Sequence, residues 1–187
     1  MKAKPTKRYP TVGCCGIDCG LCPRYHTDGE SKCPGCGGKE FYQKHPSCSI
    51  VTCCFITKQF ETCGSCEEFI CKRIENWDSA DSFVTHRNCL TNLTRIKERG
   101  LDVFNKQQGE RLHLLKNLLR KYDDGRSKSF YCLSAALLPI DELRSAIGKV
   151  GSDLGIGHNR KHAARLLREA FAGIANRASV ELSYKKT

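Results

Sequence analysis

Cysteine placement constrains this chain more than any other feature. Its 187 residues include 14 cysteines, and 12 of these lie in the first 71 positions, with only Cys89 and Cys132 beyond them. The twelve fall into groups: Cys14, Cys15, Cys19 and Cys22; Cys33 and Cys36; Cys48, Cys53 and Cys54; Cys63, Cys66 and Cys71. Three groups contain a C-x-x-C step, at Cys19–Cys22, Cys33–Cys36 and Cys63–Cys66. Such a turn aims two thiolates at one point and leaves backbone N–H groups free to bond the sulfurs, which is the geometry of a metal vertex. Around the second pair, Pro34 fixes φ, and Gly37 and Gly38 are expected to supply the positive φ of a tight zinc-ribbon knuckle.

Other uses of clustered cysteine fit less well. A disulfide framework belongs to exported domains, and no apolar stretch follows the basic MKAKPTKRYP start, so a reducing, cytoplasmic setting is expected. Redox C-x-x-C chemistry goes with a βαβ pattern, and none surrounds these pairs. Residues 1–72 also hold few large apolar side chains. A segment of that size does not readily bury enough surface to offset its chain entropy. Structural zinc contributes on the order of 10 kcal/mol to such a unit, so the metal is expected to act as its core.

The cysteine runs taken in order, CGIDCGLCPRY, CPGCGG, CSIVTC and CGSCEEFIC, resemble an uncharacterised prokaryotic cysteine-rich family, domain of unknown function 3795 (DUF3795). The likeness covers residues 13–72 well and the remainder loosely, chiefly at DGRSKSFYC from Asp124 to Cys132. The resemblance implies metal binding without an assigned activity. Ten positions match it: Cys15, Cys19, Cys22, Cys33, Cys36, Cys48, Cys53, Cys63, Cys66 and Cys71. Cys14 and Cys54 are read as bystanders beside motif cysteines. Ten ligands exceed two tetrahedral sites and fall short of three, unless a histidine such as His26 or His45 completes the third. The ligand pairing stays open, because the knuckles can interleave.

Zinc in two or three structural sites is the first expectation, and a four-iron four-sulfur (4Fe–4S) cluster is the alternative, since four thiolates serve both. The spacing Cys15-x3-Cys19-x2-Cys22 is one that radical enzymes use for such a cluster. No barrel-sized alternation of strands and helices follows, which excludes that enzyme class.

After Cys66 the apolar period becomes helical. The expected fold is α-rich: a small irregular cysteine-rich module over 1–72 with zinc-knuckle turns, then a five- to six-helix bundle over 73–187, tethered to the module or packed with it as one domain. A short helix is expected from Glu67 to Trp77, another from Val84 to Arg99 ended by Gly100, and an amphipathic one from Leu101 to Tyr122. Phe130–Leu138 follows, then a helix capped by Asp141 and running to about Val150, a turn at Gly151, Gly155 and Gly157, and a last helix near Asn159–Asn176.

Net charge is +11, with ten Lys and Arg against seven Asp and Glu through Lys72 and 21 against 13 beyond it. Thiolate-bound zinc lowers this, because each four-thiolate site carries −2. The last helix sets Arg160, Lys161, Arg165 and Arg168 opposite an apolar stripe, either a solvated face or a contact for nucleic acid. Arg126, Ser127, Lys128 and Ser129 precede a helix, where they are expected either to cap it or to bind an anion. His158 and His162 have i, i+4 spacing but no intervening glutamate, so they read as surface histidines. There is no triad, P-loop, paired-carboxylate signal or 18-residue apolar run. The sequence therefore points to a metal-binding protein that meets protein or nucleic acid, with iron–sulfur electron transfer as the alternative and no membrane partner.

Overall fold

The computed structural model describes residues 5–155 and 159–185. Among these residues there are seven α-helices and no strand. The chain forms two compact units, one of residues 1–108 with 184–187 and one of residues 109–183. The cysteine-rich unit thus reaches past residue 72.

In the first unit the backbone is mostly turns. Helix α1 (Phe41–Lys44) is one turn long, and α2 (Ser49–Val51) widens into a π-helical stretch over Thr52–Thr57. The third helix, α3 (Cys89–Arg99), ends at Gly100 as expected but starts five residues later than its apolar period predicts. The cause is local competition. The buried carboxylate of Asp81 accepts from the His86 N–H at 2.7 Å and from Thr85 Oγ1 at 3.1 Å, which holds residues 81–86 in a turn. No helix forms over Glu67–Trp77 either. Separate turns replace it, closed by Phe69 N–H to Cys66 O, Ile74 N–H to Cys71 O and Trp77 N–H to Ile74 O. The 3.6 period there reflects which side chains turn inward, Ile74 above all, rather than a hydrogen-bonded ladder.

Cys14, Cys15, Cys36 and Cys54 form the interior of this unit together with Phe41, Ile50, Val51, Ile74 and Leu93. A smaller cluster joins Val12, Ile96 and Phe104. The C-terminal stretch is clipped on through Asp81, whose Oδ2 accepts from the Lys185 N–H at 2.8 Å.

The second unit is built from helices joined by short connections among the described residues. It takes the end of α4 (Leu101–Tyr122), then α5 (Lys128–Leu137), α6 (Ile140–Leu154) and α7 (Arg160–Arg177). Its core gathers Leu115, Leu118, Tyr131, Leu143, Leu167 and Phe171, with Phe171 stacked on Phe130 and edge-on to Tyr131. Arg111 donates to the Ala135 and Leu138 carbonyls at 2.7 and 2.8 Å and so satisfies orphan acceptors at the end of α5. Asp141 does not cap α6: Pro139 holds that position, and Asp141 sits in the first turn paired with Arg144. That helix continues through Gly151, and among the described glycines of the expected turn Gly155 lies outside it. Gly157 and His158 lie outside the described residues. Asn159 caps α7, accepting from the N–H groups of Lys161 and His162.

Candidate metal centres

Two of the C-x-x-C steps are single 3-10 turns. Cys22 N–H returns to Cys19 O at 3.2 Å, and Cys66 N–H to Cys63 O at 3.1 Å. The middle step is pinned from outside, with Cys33 N–H on Arg24 O and Cys36 N–H on Pro10 O. Positive φ falls on Gly35 and Gly37 there, not on Gly38.

Helix α3 is the plate against which the CGIDC run and the Cys63–Cys66 turn are pressed. Asn92, buried in α3, donates from Nδ2 to Gly16 O at 2.9 Å and to Asp18 Oδ2 at 3.1 Å, fixing the CGIDC run. A Cβ on Gly16 would lie 2.3 Å from Cys89 O, and one on Gly64 would lie 2.6 Å from Leu93 O, so only glycine permits this approach. Cys63 N–H bonds Cys14 O at 2.8 Å, tying the last cysteine group to the first.

All fourteen cysteines are free thiols. The twelve of the N-terminal stretch line two cavities of the first unit, and Cys48 and Cys53 also share a third of about 510 Å³. The larger of the first two, about 380 Å³, is lined by Cys14, Cys15, Cys19 and Cys22, and further round by Cys33, Cys36 and Cys48. His45, Trp77 and His86 complete part of its wall. The smaller, about 280 Å³, is lined by Cys53, Cys54, Cys63, Cys66 and Cys71. Every one of the ten expected ligands therefore faces one cavity or the other. Among the described residues, no three or more His, Cys, Asp or Glu side chains are drawn together in the arrangement of a bound metal ion.

The two cysteines read as bystanders make some of the closest sulfur contacts. Cys14 is fully buried, with its Sγ 3.8 Å from Cys36 Sγ. Hydrogen bonds from the Cys36 and Cys54 thiols, helped by Lys7, pull its pKa down to about 3. Cys54 also contacts Cys63, and its Sγ lies 3.4 Å from Phe60 O. Cys89, apart in sequence, meets Cys15; its hydrogen bond lowers the Cys15 pKa against the opposing effect of burial. Burial pushes Cys19, Cys22 and Cys48 upward.

Lys7 is the residue that sequence reasoning missed. It is only 3% exposed, and its ammonium donates to Val12 O at 2.6 Å. A buried ammonium is costly unless negative charge faces it. Here burial alone would lower its pKa, but Cys36, Cys14 and Cys19 outweigh that and raise it. Its stem lies where a Gly37 side chain would be, 2.7 Å from the Cβ position. The sequence signal was a lysine seven residues before the first cysteine, indistinguishable from its basic neighbours. Over the smaller cavity, Lys58 reaches Cys66 Sγ at 3.6 Å and Glu68 Oε1 at 2.6 Å.

The histidines considered as extra ligands have other engagements. His26 Nε2 is 2.8 Å from Gly20 O, while His45 stacks on Phe41 and places Nδ1 3.0 Å from Pro46 O.

In the second unit, the segment expected to bind an anion already holds a carboxylate of its own. Asp124 accepts from the Arg126 N–H at 3.1 Å and from Ser127 Oγ at 2.7 Å. Ser127 is buried, does not cap α5 with its side chain, and accepts from Arg168 at 2.6 Å. Ser129 is exposed and Lys128 half-buried. The basic face of α7 is also partly spent inside the protein. Arg160 donates to Arg120 O, Arg165 pairs with Glu169 at 3.0 Å, and Arg168 is bound to Ser127; Lys161 is exposed. Cys132 is buried in α5 as a packing residue.

Comparison with family models, curated proteins and solved structures returned no match to this chain. No described helix is long and apolar enough to cross a membrane.

Proposed function

We propose that this chain is a metal-binding protein whose first unit folds around thiolate-held metal, and that iron–sulfur clusters are the group its cavities suit best. One observation carries the reading: twelve free thiols line two cavities of about 280 and 380 Å³ in one unit. Each volume is several times the ~30 Å³ share of a water molecule, which is more than one ion requires and is in keeping with a multi-atom inorganic core. The donors are soft sulfur, suited to iron–sulfur clusters and zinc and poorly to magnesium or calcium. Lys7 and Lys58 place positive charge beside the thiols, as an anionic thiolate–metal group requires. When bound, such a cluster supplies one-electron chemistry. The polypeptide holds it, keeps water from it and sets the charge around it.

Structural zinc is the second reading, favoured by the Cys14–Cys36 sulfur separation of 3.8 Å. That matches the ~3.8 Å between ligands of a tetrahedral ion with 2.3 Å Zn–S bonds. Membership of the DUF3795 family remains a proposal resting on the motif likeness alone. The α7 face gives little support to nucleic-acid binding, since three of its four basic side chains bond within the protein.

Anaerobic purification followed by metal and acid-labile sulfide analysis tests the choice. Iron with sulfide and a brown chromophore is expected. Stoichiometric zinc in colourless protein overturns the cluster and leaves the zinc reading standing. Protein that takes up neither metal overturns both.

A further inference from the structure

Four sulfurs run in single file from the 380 Å³ cavity to the 280 Å³ one. Cys36 and Cys14 line the first, with their Sγ atoms 3.8 Å apart. Cys54 lines the second and hydrogen-bonds both Cys14 and Cys63. Backbone contacts hold the file in place. The Cys63 N–H donates to Cys14 O at 2.8 Å, and the Cys14 N–H donates to Cys36 Sγ at 3.4 Å. Cys48 and Cys53 make a second link, since both line the third cavity. The thiols of the unit are therefore continuous.

We infer that Cys14 and Cys54 are metal ligands, and that through them the thiols of the two cavities hold one connected metal–thiolate centre. This rests on the metal-binding reading, whichever metal is bound, and adds to it how the thiols share their load. Spacing and motif order leave both cysteines out, and it is the fold that brings them in. A thiolate sulfur has lone pairs for two metal ions, so a sulfur lying between two groups of thiols can serve both. Cys14 and Cys54 are placed to do so. Cys14 touches Cys36 in its own cavity, Cys54 touches Cys63 in the other, and the two touch each other. Both are buried, at 0% and 3% exposure, where soft sulfur is sheltered from water.

The charge beside the file agrees. The Lys7 ammonium donates to Val12 O at 2.6 Å and also reaches the Cys14 sulfur. A buried cation calls for negative charge against it. Glu61, the acid that acts on Lys7, has both carboxylate oxygens engaged by the Arg8 and Tyr9 N–H groups. Cys36, Cys14 and Cys19 face the ammonium more strongly. Thiolates supply the charge, and thiolates this close together are stable when metal binds them both.

The test takes the protein as isolated anaerobically, removes metal with a limiting amount of chelator and weighs the intact chains by native mass spectrometry. One connected centre should empty as a unit, leaving fully loaded and metal-free chains with few between them. Accumulation of chains that keep a stable part of the load, or a full load of a single ion, overturns the inference.

Cys14→Ala and Cys54→Ala give a second measure. Each should lose about half of the metal or more, and what stays should leave in steps. Cys132→Ala, in the core of the helical unit, is the control and should keep the full load. Full load with release as a unit in both variants would make Cys14 and Cys54 packing residues and overturn the inference. The wild-type release pattern decides the question even where a variant does not fold. A wild type that takes up no metal defeats the metal-binding reading, and this inference with it.

Discussion

The two units solve the same problem of burial with different materials. In the helical unit the innermost side chains are large and apolar: Phe171, Tyr131, Leu115 and Leu167 are essentially fully buried, and helices of 10 residues or more frame them. In the cysteine-rich unit the interior includes sulfur, with Cys14, Cys15, Cys36 and Cys54 in the central cluster, and outside α3 and α4 the longest helical run is the short one from Ser49 to Thr57. The first kind of core holds itself by area removed from water. The second is lined with thiols, and on the metal-binding proposal it depends on what they hold. Stability in the two units should therefore respond to different insults.

Metal removal should separate them most strongly. Trp77 is the only tryptophan in the chain and lines the larger cavity, so its emission reports on the cysteine-rich unit. Stripping metal with a chelator should cost that unit on the order of 10 kcal/mol and shift Trp77 emission to the red, while the far-ultraviolet helical signal largely persists. Simultaneous loss of both signals would break the contrast. Phe171→Ala is the converse experiment. It should cost about 3–5 kcal/mol, lower the thermal midpoint of the helical signal and leave metal content unchanged. A fall in metal per chain would show that the units are not energetically distinct.

A matched pair of glycine replacements sharpens the comparison at smaller scale. Gly16 and Gly125 share positive φ, +83° and +85°, but a Cβ on Gly16 meets Cys89 O at 2.3 Å whereas one on Gly125 meets nothing within 4 Å. Gly125→Ala should cost the helical unit about 1 kcal/mol from backbone conformation alone. Gly16→Ala should cost about 2–4 kcal/mol and also reduce metal retention, because α3 must move away from the CGIDC turn. Equal costs in chemical denaturation would mean that the close approach contributes nothing.

The smallest expected effect is acid sensitivity of the helical unit. The Ser127 hydroxyl, with the Arg126 N–H and Arg168, holds Asp124 below its ordinary pKa of 3.8 despite some burial. A carboxylate depressed in the folded state stabilises it fully above the unfolded pKa, and that contribution disappears as pH falls through the lower folded value. Asp124→Asn should therefore flatten the stability profile below about pH 4. An unchanged profile in acid unfolding would assign the sensitivity elsewhere.

Much of the helical unit could be read directly from periodicity. The Leu101–Tyr122 stripe and the last helix, Arg160–Arg177, appear where expected, because long amphipathic patterns act locally. Glu67–Trp77 looked helical for the same reason and is not. Ile74 is drawn into the cysteine core, and that contact outweighs a weak local preference. The start of α3 was misplaced because the Asp81 carboxylate takes the backbone N–H of His86, a competition that depends on one turn geometry. Of the candidate centres, the sequence offered ten cysteines by their spacing and motif order, and the fold lines two cavities with them. Lys7 was not recognisable, since only burial distinguishes it from other lysines.

The sequence by itself determined that a thiol-rich, apolar-poor segment precedes an amphipathic helical one, because composition and period are properties of the chain alone. Tertiary structure decided which sulfurs share a cavity. Cys48 lines a cavity with Cys15 and Cys22, Cys53 lines another with Cys63 and Cys66, and Cys15 and Cys89, distant in sequence, touch. Spacing limits how two nearby thiols can be aimed, but it carries no information about which turns the fold brings together. That depends on the long-range contacts of α3 with the turns of the cysteine-rich unit.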